Sequence, residues 1–352
     1  MSELNIYRCS PRQIRSHITT CLKAGLAPFV QSSPGMGKSS IIKDIADELN
    51  LEVIDHRLST STPEDLTGLP RFDADGKAYF AAFADLFPLE DAEIPEGKDG
   101  WLIFLDEANS ASKAVQAASY KLVLDREVGQ HKLHPNVVIV LAGNLSTDKA
   151  IVTSLSTAMQ SRLVHLEMKL DFKEWLEDVA LKQNYDSRII AYLNYKEKAL
   201  MDFDANHKEK TFCCPRTWEF TNNILKVIDG HSSKPLPDTL AALLAGTITS
   251  GVAVDFIQFT KVYSSLVTVD DIRRDPDNLA VPGDTAVRWA TISHMMEKVN
   301  PENFDDLATY ANRFDLTFRI LFFRAVIQGN PELRSHSAFR NAMTTLSKYL
   351  HG

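Results

Sequence analysis

The stretch Gln31-Ser-Ser-Pro-Gly-Met-Gly-Lys-Ser39 decides how this chain is read. It follows a short apolar run at 28–31 and opens a segment of helical spacing, Ile41-Ile-Lys-Asp-Ile-Ala-Asp-Glu-Leu49. A strand, a glycine-bearing turn and a helix start, in that order, make a phosphate-binding loop. Backbone N–H groups there can converge on one concavity, glycines permit the tight turn, and the helix N-terminus adds a positive dipole. Ser33, Pro34, Gly35, Met36, Gly37, Lys38, Ser39 and Ser40 would form the cradle. Lys38 would reach the β- and γ-phosphates, and the Ser39 hydroxyl would hold Mg²⁺. One departure from G-x-x-x-x-G-K-[ST] is visible: Ser32 stands at the first glycine, while Gly35 and Gly37 are kept.

Outward from this loop, apolar runs alternate with helical patterns as far as about residue 168. The runs lie at 51–58, 101–105 and 137–142. Trp101-Leu-Ile-Phe-Leu105 and Val137-Val-Ile-Val-Leu-Ala142 are apolar without alternation, as strands buried on both faces are. That pattern predicts a parallel sheet flanked by helices. A short helix is expected over 10–25, capped by Ser10, entered by Pro11 and stopped by Gly25. Beyond Asp171 no strand is expected. Helices fill 171–230, a polar loop at 231–238 marks a boundary, and the remainder is helical. Phe304, Leu307, Ala311, Phe314, Phe318, Leu321 and Ala325 step by three and four into one buried stripe. Residues 239–254 are uncharged, but they are shorter than the roughly 20 residues of a membrane helix and read as a buried helix pair.

Composition narrows the class. The chain has 352 residues, 44% hydrophobic and 24% charged, which excludes a disordered, collagen-like or disulfide-scaffold protein. A net charge of −8 argues against a bulk nucleic-acid coat, without excluding a local basic patch. Cys9, Cys21, Cys213 and Cys214 have no metal-site spacing and read as free thiols of a reducing compartment. The N-terminus lacks a signal-peptide core, so a cytoplasmic location is expected.

Several side chains carry chemistry. The 101–105 strand ends in Asp106 and Glu107. Asp106 can bind Mg²⁺, and Glu107 can orient and deprotonate an attacking water. The 137–142 strand leads to Asn144, which can both donate and accept hydrogen bonds. Arg162 precedes a short alternating strand (Val164, Leu166, Met168) and could neutralise charge on a phosphoryl group in transfer. Arg216 follows Pro215 and would project from the start of a helix that buries Trp218, Leu225 and Ile228.

In this order, these residues resemble the AAA+ ATPases, and within them the MoxR-like group. The resemblance spans roughly 10–230. It implies Walker A at Lys38, Walker B at Asp106 and Glu107, sensor 1 at Asn144, an arginine finger at Arg162 and sensor 2 at Pro215 and Arg216. Leu58-Ser-Thr-Ser-Thr-Pro-Glu-Asp-Leu-Thr-Gly-Leu69 with 71–98 resembles the helix-2 insert, whose loops face the ring pore. Glu127-Val-Gly-Gln-His-Lys-Leu133 resembles the pre-sensor-1 hairpin, turning at Gly129-Gln130. The implied organisation is an α/β nucleotide-binding core over 1–170, a helical lid over 171–235 and a helical C-terminal region of unassigned role over 236–352.

The same resemblance implies ATP and Mg²⁺ as cofactors and a homo-oligomeric, usually hexameric ring with ATP between subunits. It further implies remodelling of a protein partner, sometimes one with a von Willebrand factor A-type domain. A membrane partner is not expected. An AAA+ nucleic-acid motor remains an alternative, although the hairpin offers only His131 and Lys132 beside Glu127. A small-molecule kinase and a slow nucleotide-dependent scaffold are the other readings. His131 and His134 lack the company of a metal site.

Overall fold

The computed structural model describes residues 8–83, 85–148, 153–230, 234–261 and 267–350. The chain divides into two compact units, Met1–Asp171 and Phe172–Gly352. Part of the boundary loop expected at 231–238 lies outside the described residues.

The first unit is built on a six-stranded, wholly parallel sheet. Its strands are β1 (Arg8–Cys9), β2 (Ala27–Ser32), β3 (Leu51–Arg57), β6 (Gly100–Asp106), β9 (Val137–Asn144) and β10 (Leu163–Met168). Their order across the sheet is β1-β10-β2-β9-β6-β3. The strand of the phosphate loop is therefore central, with β9 on one side and β10 on the other. From β2 the chain runs to the far edge at β3, returns through β6 and β9, and crosses to β10. Such a change of direction opens a crevice at the strands' C-terminal ends.

Strand alternation divides the core into two layers. Leu102, Phe104, Val140 and Ala142 face Ile14, Ile18, Ile42 and Ile45 of α1 (Pro11–Lys23) and α2 (Lys38–Glu48). Ile103, Leu105, Ile139 and Leu141 face the opposite side, with Leu66 of α3 (Pro63–Thr67), Val115 of α4 (Lys113–Tyr120) and Met159 of α5 (Thr157–Gln160). Ser10 caps α1 in a reciprocal capping box with Gln13, and Gly25 (φ +70°) takes the chain out of the helix.

Two small antiparallel hairpins decorate this unit: β4 (Leu69–Phe72) with β5 (Ala78–Ala81), and β7 (Glu127–Val128) with β8 (His131–Lys132). The second is the expected hairpin, turning at Gly129 (φ +61°). A Cβ on Gly129 would sit 2.2 Å from the Thr67 carbonyl at the end of α3 and 3.4 Å from Phe80 Cβ of β5, so the two hairpins abut. His131 Nε2 lies 2.9 Å from the Phe80 carbonyl and ties them further.

The second unit is helical, and its described residues contain no strand beyond an isolated bridge between Asp202 and Cys213. It holds α6 (Phe172–Trp175), α7 (Ser187–Tyr195), α8 (Pro215–Asp229), α9 (Ala241–Leu244), α10 (Ser250–Thr260), α11 (Val269–Arg274), α12 (Thr285–Lys298), α13 (Phe304–Ala311), α14 (Leu316–Gly329) and α15 (Ser337–Leu350). α12 packs along α7, so helices from both sides of residue 236 share one core. The apolar stripe that starts at Phe304 is divided between α13 and α14. The break at 312–315 leaves Asp315 extended ahead of α14, and Phe314 stays buried in the turn. The 239–254 run forms α9 and the start of α10, with Leu243 and Val254 exposed. α8 buries Trp218 and Leu225 as expected, but Ile228 is exposed: its last turn projects past the core.

Candidate functional site

The phosphate loop lies between β2 and α2. Gly35 and Gly37 take left-handed φ values of +74° and +86°, which side-chain-bearing residues rarely adopt. Gly37 is the N-cap of α2, so Lys38, Ser39 and Ser40 form its first turn with backbone N–H groups lacking intrahelical acceptors. The non-glycine Ser32 is fully buried. Its hydroxyl oxygen accepts from Lys38 Nζ at 2.9 Å, and its carbonyl accepts from the same ammonium at 3.2 Å. The departure from the glycine pattern therefore supplies a resting place for the lysine.

Asp106 ends β6 near Lys38. Burial raises its carboxyl above the ordinary range, opposed by the hydrogen bond from the Glu107 N–H (2.8 Å) and by the Lys38 charge. Glu107 itself has φ +55°. Consecutive strand residues point to opposite faces, and a left-handed residue breaks that alternation just after Asp106. The ladder resumes at once, because Ala108 N–H donates to the Ala142 carbonyl at 2.9 Å. The Glu107 carboxylate accepts a hydrogen bond from Ser59 Oγ. Ser59 lies in the turn after β3, braced by Ser61 Oγ donating to the Arg57 carbonyl (2.8 Å) and meeting His56 Nε2 (2.8 Å). Burial pushes the His56 imidazole down, against the pull of Asp65 and Asp55.

Asn144 ends β9 directly opposite Ser32 in the sheet register. Its backbone is gripped by Asn109, which is buried: Asn109 Nδ2 donates to the Asn144 carbonyl at 2.8 Å, and Asn144 N–H donates to Asn109 Oδ1 at 3.1 Å. Gly143 makes room, since a Cβ there would lie 2.3 Å from Asn109 Oδ1.

Lys38, Ser39, Asp106, Glu107 and Asn144 thus gather at the C-terminal ends of β2, β6 and β9. Arg162 does not join them. It precedes β10, whose Leu163 pairs with Ala27 at the start of β2. The phosphate loop begins beyond Ser32, roughly 20 Å along the strand at about 3.3 Å per residue. Arg162 is exposed and donates to the Ala158 carbonyl at 3.0 Å. Arg216 belongs to the second unit, where it is exposed in the first turn of α8. Sequence reading does not find Ser59, Asn109 or Gly143. Only the Asp-Glu-x-Asn spacing of 106–109 offers a signal for any of them.

The oxygen donors Ser39 and Asp106 suit a hard cation, and a half-buried carboxylate gains from one. Among the described residues no three His, Cys, Asp or Glu side chains form a metal cluster, so a cation here would take its other oxygens from phosphates and water.

No protein-family model and no curated protein matches the chain. Solved structures do resemble it. One is a candidate ATPase from Cytophaga hutchinsonii, with 11% identity, TM-score 0.36, and 97% of this chain and 90% of that one covered. Another is the Thermotoga maritima RuvB Holliday junction branch migration motor, with 15% identity, TM-score 0.36, and 83% and 86% covered. A point mutant of RuvB from the same organism has 16% identity, TM-score 0.36, and 78% and 81% covered. At such identities and scores the resemblance to AAA+ ATPases is carried by this chain's own sheet and by the motif residues gathered at its edge.

Proposed function

We propose that the chain is a ring-forming AAA+ ATPase of the MoxR-like group that couples Mg-ATP hydrolysis to remodelling of a protein partner. One observation carries this reading. The phosphate loop, Asp106, Glu107 and Asn144 converge at one end of the sheet, while Arg162 sits exposed at the other. Arg162 lies too far along the sheet to serve the loop of its own chain, so in this reading a second copy supplies it.

In this reading the N–H groups of 35–40 and Lys38 bind the phosphates of ATP. Ser39 and Asp106 hold Mg²⁺, which when bound offsets phosphate charge. Glu107, released from Ser59, takes a proton from the attacking water. Asn144 fixes that water against the γ-phosphate. Arg162 of the next subunit stabilises charge in the transition state, and Arg216 closes the helical region 171–235 over the nucleotide. The two abutting hairpins, with exposed Phe72, Tyr79 and Phe80, would meet the partner at the pore. No helix among the described residues is long and apolar enough to cross a membrane, and we place the protein in the cytoplasm.

The test is ATP hydrolysis against protein concentration, with Glu107→Gln beside the wild type and mass photometry on the same samples. Activity should rise as rings form, and Glu107→Gln should keep the ring while losing turnover. Equal specific activity in dilute monomer and ring, or normal hydrolysis by Glu107→Gln, overturns the assignment.

A further inference from the structure

Asn109 stands where three parts of the candidate site meet. It lies three residues beyond Asp106, on the loop that also carries Glu107, and its side chain is 2% exposed. Both ends of its amide engage the backbone of Asn144, donating to the carbonyl and accepting from the N–H. Its own carbonyl accepts from Thr153 N–H at 2.7 Å. From Thr153 the chain runs through Leu155, buried, and Ser156, which caps α5, to Met159, whose carbonyl accepts the Arg162 N–H at 3.1 Å. Gln116, also buried, holds the other side of this arm by donating to the Thr153 carbonyl at 3.4 Å.

A two-bond amide clamp fixes both the position and the rotation of a peptide unit, where a single hydrogen bond fixes neither. Its effect on geometry matters most, because a misplacement of about 1 Å near reacting atoms can cost about a hundredfold in rate. Among the described residues the Asn144 side-chain amide has no hydrogen-bond partner of its own. Its aim is therefore set by its backbone, which is held by the pairing with Ser32, by Gln31 Nε2 donating to the carbonyl at 3.4 Å, and by Asn109, which alone of the two side chains engages both the carbonyl and the N–H. Gly143 belongs to the same device, since any side chain there would expel the Asn109 amide.

The geometry points to Asn109 as a positioning residue: its side chain aims Asn144 at the γ-phosphate end of the site, and its carbonyl ties the arm bearing Arg162 to the same loop. This rests on the ATPase reading above. Asn109 touches no phosphate in that reading, and its side chain acts only through Asn144.

The experiment measures steady-state ATP turnover and fluorescent-ATP binding of the full chain for wild type, Asn109→Ala, Asn109→Asp, Asn144→Ala and the Asn109→Ala/Asn144→Ala double variant. Hydrogen exchange of the Asn144 and Thr153 amides is read alongside. Asn109→Asp keeps the volume and the acceptor but turns an oxygen toward the Asn144 carbonyl, which guards against a simple folding defect. Both Asn109 variants should lose about tenfold to a hundredfold in kcat while nucleotide affinity stays within about twofold. The double variant should be no slower than Asn144→Ala alone. The Asn144 amide should exchange at least about tenfold faster in Asn109→Ala, whereas the Thr153 amide, bound to a backbone oxygen, keeps its protection. Turnover within about twofold of wild type, a multiplied loss in the double variant, or an Asn144 amide that stays protected each overturns the proposal. A wild type without turnover sinks the ATPase reading instead, and the exchange measurement still decides the role of Asn109.

Discussion

Replacing Arg188 with Met should destabilise the helical unit more than any exposed charge change in the chain. The Arg188 guanidinium is fully buried at the start of α7. It donates to Asp186 at 2.9 and 2.6 Å, to Asp229 at 2.9 and 3.0 Å, and to the Lys234 carbonyl at 2.7 Å. Burial alone would lower its pKa, but the hydrogen bonds and charges of the two aspartates outweigh that and raise it. The Met side chain fills similar space and takes the guanidinium away from both aspartates. Asp229 is 25% exposed at its side chain and can be hydrated, but Asp186 is not exposed at all. Asp186 keeps one bond, from the Arg188 N–H at 2.8 Å, and its second oxygen is orphaned. Breaking a buried pair by removing one partner costs about 3–5 kcal/mol. For a unit of this size that is a fall of about 6–20 °C in Tm. Urea unfolding followed by tryptophan fluorescence reports it, because Trp175, Trp218 and Trp289 are all buried in this unit. Adding Asp186→Asn removes the stranded charge and should recover most of the loss. A loss below about 1 kcal/mol, the level of an exposed pair, would refute the reasoning, as would a double variant no more stable than the single one. The cluster joins α7 to the far end of α8, so the cost falls on the helix that presents Arg216.

Other outcomes follow from the first unit. Because the Asp106 carboxyl is raised in the fold, the folded chain binds more protons than the unfolded one between the two pKa values. Stability without nucleotide should thus fall as pH climbs from the ordinary carboxylate range through the raised value; Asp106→Asn should raise Tm at neutral pH, lose that advantage in acid, and abolish Mg-dependent turnover. A Tm for Asp106→Asn that tracks wild type from acid to neutral pH would contradict this. Ser59→Ala removes the hydrogen bond that holds Glu107, and basal ATP turnover should increase about twofold to tenfold; a decrease would show that Ser59 assists Glu107 rather than restraining it. Gly37→Ala meets no atom within 4 Å but must hold φ +86°, so fluorescent-ATP affinity should drop by the equivalent of about 1–2 kcal/mol of backbone strain, and unchanged affinity would mean that the loop relaxes freely.

What can be read from the sequence is local. The strands at 101–105 and 137–142 announce themselves by unbroken apolar runs, and α1 by Ser10, Pro11 and Gly25, because neighbours in sequence are neighbours in these elements. The hairpin at Gly129 is legible for the same reason. The insert's β4/β5 pair is not, since Leu69, Phe72, Tyr79 and Phe80 are exposed and give no buried period. β1 escapes a local reading because its two residues gain strand form only by pairing with Glu167 and Met168, more than a hundred positions later. The candidate site divides in the same way. Lys38, Asp106 and Glu107 sit in compact motifs, but Ser59 reaches Glu107 across 48 positions and Asn109 reaches Asn144 across 35. Such partners owe their meeting to the strand order, which sets β9 between β2 and β6 and brings three strand ends to one edge. A local reading can name the groups that touch a phosphate, since cradle, lysine and helix start must be contiguous to work. It cannot name the groups that hold those residues still, because holding needs only proximity, and proximity here is made by the sheet. The same logic applies to Arg162. Its position in the sequence is readable, yet its placement at the opposite end from the phosphate loop follows only from the parallel pairing of Leu163 with Ala27.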